Sequence, residues 1–135
     1  MSTASSMLKA YPQDLGNVDR QALTACIEAC EDCALACTAC ADACLSEEAV
    51  QELAKCIRSN LGCADICTTT SRVLLRHTGF DANLTRTIVD ASGTVCKSCG
   101  DMCENHGSRY EHCRVCAEVC RRCEDACRKL VKSLG

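Results

Sequence analysis

Apolar and small residues recur every three or four positions through most of the chain, and charged residues fill many of the positions between them. Because residues three and four apart lie on one face of an α-helix, this spacing predicts amphipathic helices. Capping residues and glycines divide the pattern into four helices of roughly 25 to 30 residues. The turns between them are very short, so consecutive helices are expected to run antiparallel. The sequence therefore predicts an all-α, up-down-up-down four-helix bundle.

Local signals set the limits of the first two helices. Asn17 or Asp19 can cap the first helix, which runs to about Leu45. Ser46 is predicted to start the second helix, because two glutamates follow it and acidic residues suit the first turn. That helix is predicted to end at residues 77–79, where a glycine can serve as the C-terminal cap.

Similar signals delimit the third and fourth helices. Asp81 is predicted to start the third helix, which stops at residues 105–107. Ser108 and Glu111 form a capping-box pattern that opens the fourth helix, and this helix runs nearly to Gly135. Residues 1–16 are predicted to form an N-terminal arm or short helix, and residues 17–135 the bundle.

The residue that repeats most regularly at the inward positions is cysteine, with 17 copies among 135 residues. Each predicted helix carries one stripe of thiols on the face that points into a bundle. This cysteine content is typical of disulfide or metal scaffolds. The candidate metal ligands are Cys26, Cys30, Cys33, Cys37, Cys40, Cys44, Cys56, Cys63, Cys67, Cys96, Cys99, Cys103, Cys113, Cys116, Cys120, Cys123 and Cys127.

The two ends of the predicted bundle differ. We call the end with the turns near Ser46 and Gly107 the thiol-rich end, and the end with the turn near Gly79 the apolar end. His106 and His112 flank the thiol-rich end and are predicted to pass metal inward. Aliphatic residues are predicted to seal the apolar end: Val73, Leu74, Leu75, Leu84, Ile88, Val89, Leu130, Val131 and Leu134.

Thiolates are soft ligands that select Cu(I), Zn(II) or iron–sulfur clusters. Four thiolates on one Zn(II) leave a net charge of about −2, and several such sites buried together would be costly. One Cu(I) per thiolate leaves the core neutral, so the pattern favours a store of multiple Cu(I) ions. The cysteine run typical of bacterial ferredoxins, which ends in C-P, is absent. A Zn/Cd buffer and a thiol-disulfide redox protein remain alternatives.

Charge and hydropathy restrict the function classes further. The net charge is −3 and the basic residues are scattered, which argues against nucleic-acid binding. No apolar run of about 18 residues occurs, so no membrane span is expected. The N-terminus lacks the pattern of a secretory signal, which predicts a cytoplasmic protein whose thiols stay reduced. A binding protein, and not an enzyme, is expected.

From Val18 to Leu134 the chain resembles the bacterial copper storage proteins, in particular their cytosolic branch. The resemblance rests on the C-x3-C-x2-C-x3-C-x2-C-x3-C run at residues 26–44, with echoes at residues 96–103 and 113–127. It implies a cysteine-lined four-helix bundle that binds Cu(I) along its whole length and assembles as a homotetramer. It also implies a role in copper tolerance or supply. A cytosolic copper chaperone is a further expected partner, as the donor of the copper ions.

Overall fold

The computed structural model describes residues 2–134, and in that range the chain is mostly helical, with a ten-residue connection at residues 10–19 and shorter turns elsewhere. Each of the four long helices packs against two of the others, so that the four form a closed ring around a common axis. The predicted antiparallel four-helix bundle is confirmed. Its elements are α1 (Thr3–Lys9), α2 (Arg20–Leu45), a 3-10 helix (Val50–Leu53), α3 (Ala54–Leu74), α4 (Ala82–His106) and α5 (Glu111–Ser133).

Two of the predicted helix caps are confirmed. The Asp19 carboxylate accepts a hydrogen bond of 3.0 Å from the amide of Ala22 at the start of α2. The Asp81 carboxylate accepts hydrogen bonds of 2.9 and 3.1 Å from the amides of Asn83 and Leu84 in α4. Both aspartates satisfy helix amides that have no partner within their own helix.

The second long helix starts later than predicted. Ser46 has right-handed helical backbone angles, and its amide donates to the carbonyls of Ala43 and Cys44. It therefore caps the C-terminus of α2, whereas an N-terminal cap requires an extended backbone. A 3-10 helix at Val50–Leu53 follows, and α3 begins only at Ala54.

The turns at the other predicted boundaries also differ from expectation. Helix α5 begins at Glu111 behind Tyr110, whose side chain makes no capping hydrogen bond. The capping box predicted at Ser108 is wrong, because the two amides that follow Ser108 still bond to the last carbonyl of α4. Helix α3 ends at Leu74, and Gly79 lies beyond it in the turn to α4. Its φ of 66° places it in the left-handed region that favours glycine.

Cysteine forms most of the core, and none of the seventeen exposes more than 2% of its surface. Leu74, Val89 and Leu130 are buried at the apolar end, together with Leu23, which the sequence analysis did not single out. Leu84 was predicted to join them but is 59% exposed, since it lies on the outer face of α4. The remaining members of the predicted seal are half-buried: Val73, Leu75, Ile88, Val131 and Leu134.

The first sixteen residues contain the short helix α1. Ala4 and Leu8 are buried, and α1 packs on α2. The Tyr11 hydroxyl lies 3.0 Å from the Thr78 hydroxyl, which ties the segment to the turn between α3 and α4. The division of the chain at residue 16 stays a prediction. None of the helices in residues 2–134 combines the length and hydropathy that crossing a bilayer requires.

Candidate metal centre

The four thiol stripes meet along the axis of the bundle. The spacing of three and four residues keeps successive sulfurs on one helix face, and packing four such faces together brings them within contact of one another. All seventeen cysteines are free thiols, and all are buried. A core of this kind is unusual, because globular domains fill their interiors mainly with aliphatic and aromatic side chains.

The sulfur atoms form a contact network that extends along most of the axis. Near the apolar end the Sγ atoms of Cys26 and Cys127 lie 3.7 Å apart. In the middle of the bundle Cys33 Sγ lies 3.7 Å from the sulfurs of both Cys63 and Cys120. Further contacts of 3.5–4.0 Å join the pairs Cys67–Cys96, Cys30–Cys123, Cys37–Cys99, Cys37–Cys116, Cys40–Cys113 and Cys56–Cys103.

Several sets of these sulfurs are compact enough to hold a metal ion. In each set the ligand atoms lie within 4.8 Å of one another. At least four cysteines belong to more than one set, so a thiolate from any of them could bridge two metal ions. Three of the sets consist of four cysteines each: Cys33, Cys63, Cys67 and Cys96; Cys33, Cys37, Cys63 and Cys120; and Cys37, Cys99, Cys116 and Cys120. Overlapping sets with bridging thiolates are what a polynuclear site requires.

One amide occupies an inward position among the thiols. Asn60 is fully buried in α3, and its Oδ1 accepts thiol hydrogen bonds from Cys99 at 3.0 Å and from Cys103 and Cys116 at 3.4 Å. Its Nδ2 donates to Cys56 Sγ at 3.7 Å. The side chain thus bonds to α4 and α5 as well as to its own helix α3, and sulfur partners satisfy its polar atoms.

The thiol-rich end carries a mixed set of nitrogen and sulfur ligands. Cys40, Cys44, His112 and Cys113 bring three sulfurs and one ring nitrogen within 4.8 Å of one another. His112 Nδ1 lies 3.3 Å from Cys40 Sγ and 3.6 Å from Cys113 Sγ. His112 Nε2 lies 2.8 Å from a carboxylate oxygen of Glu47. We call Cys40, Cys44, His112 and Cys113 the thiol-rich-end cluster.

The two histidines that were predicted to pass metal inward have different surroundings in the structure. His112, in the first turn of α5, belongs to the thiol-rich-end cluster. His106 is half-buried in the last turn of α4, and its carbonyl accepts hydrogen bonds from the amides of Arg109 and Tyr110. Both histidines therefore lie at the same end, but the contacts that join a ring nitrogen to thiols belong to His112.

Two residues beside this cluster were missed by sequence reasoning. Glu47 was interpreted only as an acidic residue of a helix start, and Tyr110 was not singled out. The Tyr110 ring stacks on His112 with a centroid distance of 5.8 Å and an interplanar angle of 24°. The only sequence signal for Tyr110 is its position two residues before His112. Glu47 follows Cys44 by three residues, the helical spacing that predicts a shared face.

Burial shifts the acidity of groups at this end. Burial raises the pKa of the Cys44 thiol to about 12 and also raises the pKa of Cys113. At His112 burial disfavours the charged ring, but hydrogen bonds to Cys40 and Glu47 outweigh it, and the pKa is raised overall. The thiols of Cys44 and Cys113 therefore hold their protons at neutral pH, and an incoming soft metal ion must displace them.

Solved structures of copper storage proteins share this architecture. Ccsp from Streptomyces lividans, loaded with 10 copper equivalents, is 58% identical with a TM-score of 0.96, covering 97% of this chain and 99% of that chain. A cytosolic copper storage protein from the same organism, with five coppers, is 60% identical with a TM-score of 0.87, covering 89% and 100%. The Cu(I)-bound protein BsCsp3 of Bacillus subtilis is 36% identical with a TM-score of 0.71, covering 79% and 95%.

The family model described as copper storage protein (Csp) matches residues 19–132, which contain all the long helices except the last residue of α5. The match spans every one of the seventeen cysteines. The resemblance inferred from the cysteine spacing is confirmed, and the chain belongs to the copper storage protein family.

Proposed function

We propose that this protein stores and sequesters many Cu(I) ions in the cytosol, bound by the thiolates of its bundle core. The observation that carries the proposal is the network of buried, free sulfurs at contact distances of 3.5–4.0 Å. Thiolates are preferred ligands of Cu(I), and each bound ion cancels the charge of one thiolate. The solved relatives that carry copper, one of them described as cytosolic, support the same function here.

All seventeen cysteines serve as ligands in this proposal. The overlapping four-sulfur sets in the middle of the bundle hold clusters in which thiolates bridge neighbouring ions. Cys26, Cys30 and Cys127 form a further set near the apolar end, so the store extends to that end. Each ion that binds releases about one proton, because a thiol must ionise to become a ligand.

Copper enters at the thiol-rich end, past His106 and His112. The supporting observation is the contact of His112 Nδ1 with the sulfurs of Cys40 and Cys113 at this end of the core. A ring nitrogen at this position can take an ion from solution or from a donor protein and pass it to the first buried thiols. His106 lies at the same end and assists in the same step.

The wider setting of the protein is part of the proposal. It acts as a binding protein and not as an enzyme, assembles as a homotetramer, and receives copper from a cytosolic chaperone. Residues 1–16 form an arm attached to the outside of the bundle, which comprises residues 17–135. Burial of Ala4 and Leu8 in α1, which packs on α2, supports an attached arm, and not a free one.

The direct test is an anaerobic titration of the fully reduced protein with Cu(I), in which a chromophoric chelator reports free copper. We expect uptake of about one Cu(I) per cysteine before free copper appears, as one soft ion per thiolate requires. Saturation after about one to four ions would contradict the proposal. A parallel titration with Zn(II) tests for a Zn/Cd buffer, and thiol counting under mild oxidant tests for a redox protein.

A further inference from the structure

The ring of His112 is fixed from three sides. The Glu47 carboxylate lies 2.8 Å from Nε2, the sulfur of Cys40 lies 3.3 Å from Nδ1, and Tyr110 stacks on the ring face. Glu47 is itself anchored, since its amide donates to the carbonyl of Cys44 at 3.2 Å in the turn that follows α2. Cys40 lies in α2 and Glu47 in the turn that follows it, whereas Tyr110 directly precedes α5. Both connections at the thiol-rich end therefore hold the ring.

These contacts assign the tautomer of the neutral ring. A carboxylate only accepts hydrogen bonds, so the 2.8 Å contact requires a proton on Nε2 of His112. Nδ1 is then the bare nitrogen, and its lone pair faces the sulfurs of Cys40 and Cys113. In the other tautomer an N–H group would point at these sulfurs, and the ring could not bind a metal ion between them.

We infer that Glu47 is a positioning residue for copper uptake: it holds His112 in the tautomer whose Nδ1 lone pair faces the first thiols. The inference rests on the proposed function and deepens it. Carboxylates that accept from the second ring nitrogen of a metal-binding histidine commonly fix its orientation in this way. Glu47 does not itself contact the thiols, so it acts through His112.

A competing explanation is that Glu47 attracts Cu(I) only through its negative charge. Four variants separate charge from position. Glu47→Gln removes the charge but keeps an oxygen that can accept from Nε2, and Glu47→Asp keeps the charge but withdraws the carboxylate by one methylene. Glu47→Ala removes both. Glu48→Ala is the matched control, because Glu48 is an exposed carboxylate at the next position.

The experiment measures three quantities for the reduced protein and each variant. The first is the rate of Cu(I) uptake from a Cu(I)–bicinchoninate complex, followed by stopped-flow absorbance. The second is the number of Cu(I) ions bound at equilibrium. The third is the tautomer of His112, obtained from long-range proton–nitrogen correlation spectra of the metal-free protein. Circular dichroism confirms that each variant remains helical.

We expect Glu47→Ala and Glu47→Asp to take up Cu(I) about tenfold more slowly, with loss of the single Nε2–H tautomer and an unchanged final copper number. Glu47→Gln and Glu48→Ala should keep the tautomer and stay within about twofold of the original rate. If Glu47→Ala does not fold, the comparison of Glu47→Asp with Glu47→Gln makes the same distinction.

Three results would overturn the inference. One is a Glu47→Ala rate equal to that of Glu48→Ala. Another is an equal slowing of Glu47→Gln and Glu47→Ala, which would assign the effect to charge. The third is a slower Glu47→Ala in which His112 keeps its Nε2–H tautomer. Failure of the proposed function looks different, because the unmodified protein would then bind only a few ions at equilibrium.

Discussion

At the scale of single residues, cysteine has two roles in this protein. A buried free thiol packs as a small apolar group, so the metal-free chain can form a core in which thiols replace most of the aliphatic side chains. The same sulfur becomes a soft ligand once its proton is displaced. The burial of all seventeen cysteines could be predicted from the sequence, because the helical period decides which side chains point inward.

The contacts of Glu47 and Tyr110 could not be predicted in the same way. Glu47 lies in the turn after α2, and its partner His112 lies 65 residues later in α5. A contact between such distant segments depends on how the helices pack and on the path of the turn. No spacing in the sequence reports either feature, whereas the proximity of His112 to a thiol-rich end follows from the bundle topology.

The two histidines give a prediction at this scale. We expect His112→Phe to slow Cu(I) uptake about tenfold, because the ring nitrogen that contacts Cys40 and Cys113 is lost. His106→Phe should have a smaller effect, and the double variant should resemble His112→Phe. Stopped-flow uptake measures the rates, and equilibrium titration should show an unchanged copper number. A larger effect of His106→Phe would assign the entrance to His106 instead.

At the scale of helices, the sequence predicted the interior of each helix more accurately than its first and last residues. Asp19 and Asp81 act as caps because their side chains meet free helix amides. Ser46 and Ser108 have the same capping chemistry, but the backbone around them still follows the end of the preceding helix. Whether a serine opens a helix or closes one depends on this local backbone path, which sequence composition does not fix.

This difference leads to a stability prediction. Asp81→Ala should lower the free energy of unfolding by about 1 kcal/mol, because two amides at the start of α4 lose their acceptor. Ser108→Ala should leave it unchanged, as should Asp65→Ala, which alters an exposed aspartate in α3. Denaturant unfolding of the reduced, metal-free protein measures all three. An equal loss of unfolding free energy in Ser108→Ala and Asp81→Ala would contradict this account, because it would show that Ser108 does cap α5.

At the scale of the whole molecule, the bundle encloses a continuous core of buried free cysteines. Burial raises the pKa of Cys44 from an ordinary value of 9.0 to about 12. The folded protein therefore keeps a proton that the unfolded chain releases between these two values. Because the folded state then binds more protons than the unfolded state, the free energy of unfolding must fall as pH rises through this window.

We predict that the metal-free, reduced protein loses stability as the pH rises from 9 to about 12, and that the Cu(I)-loaded protein does not. In the loaded protein the thiols have already given up their protons, so folding is no longer linked to their ionisation. Anaerobic denaturant unfolding at a series of pH values, followed by circular dichroism, tests both forms. Constant stability of the metal-free form up to pH 11 would show that the core thiols ionise without cost.

The most direct measurement of the central claim is an anomalous difference map at the copper absorption edge, from a crystal of the Cu(I)-loaded protein. We predict a column of copper peaks inside the bundle, from the Cys26–Cys127 contact near the apolar end to the Cys40–Cys113 contact at the thiol-rich end. Every cysteine sulfur should lie in bonding contact with at least one peak. Peaks confined to the protein surface, or to a single site with most sulfurs unbound, would contradict the account.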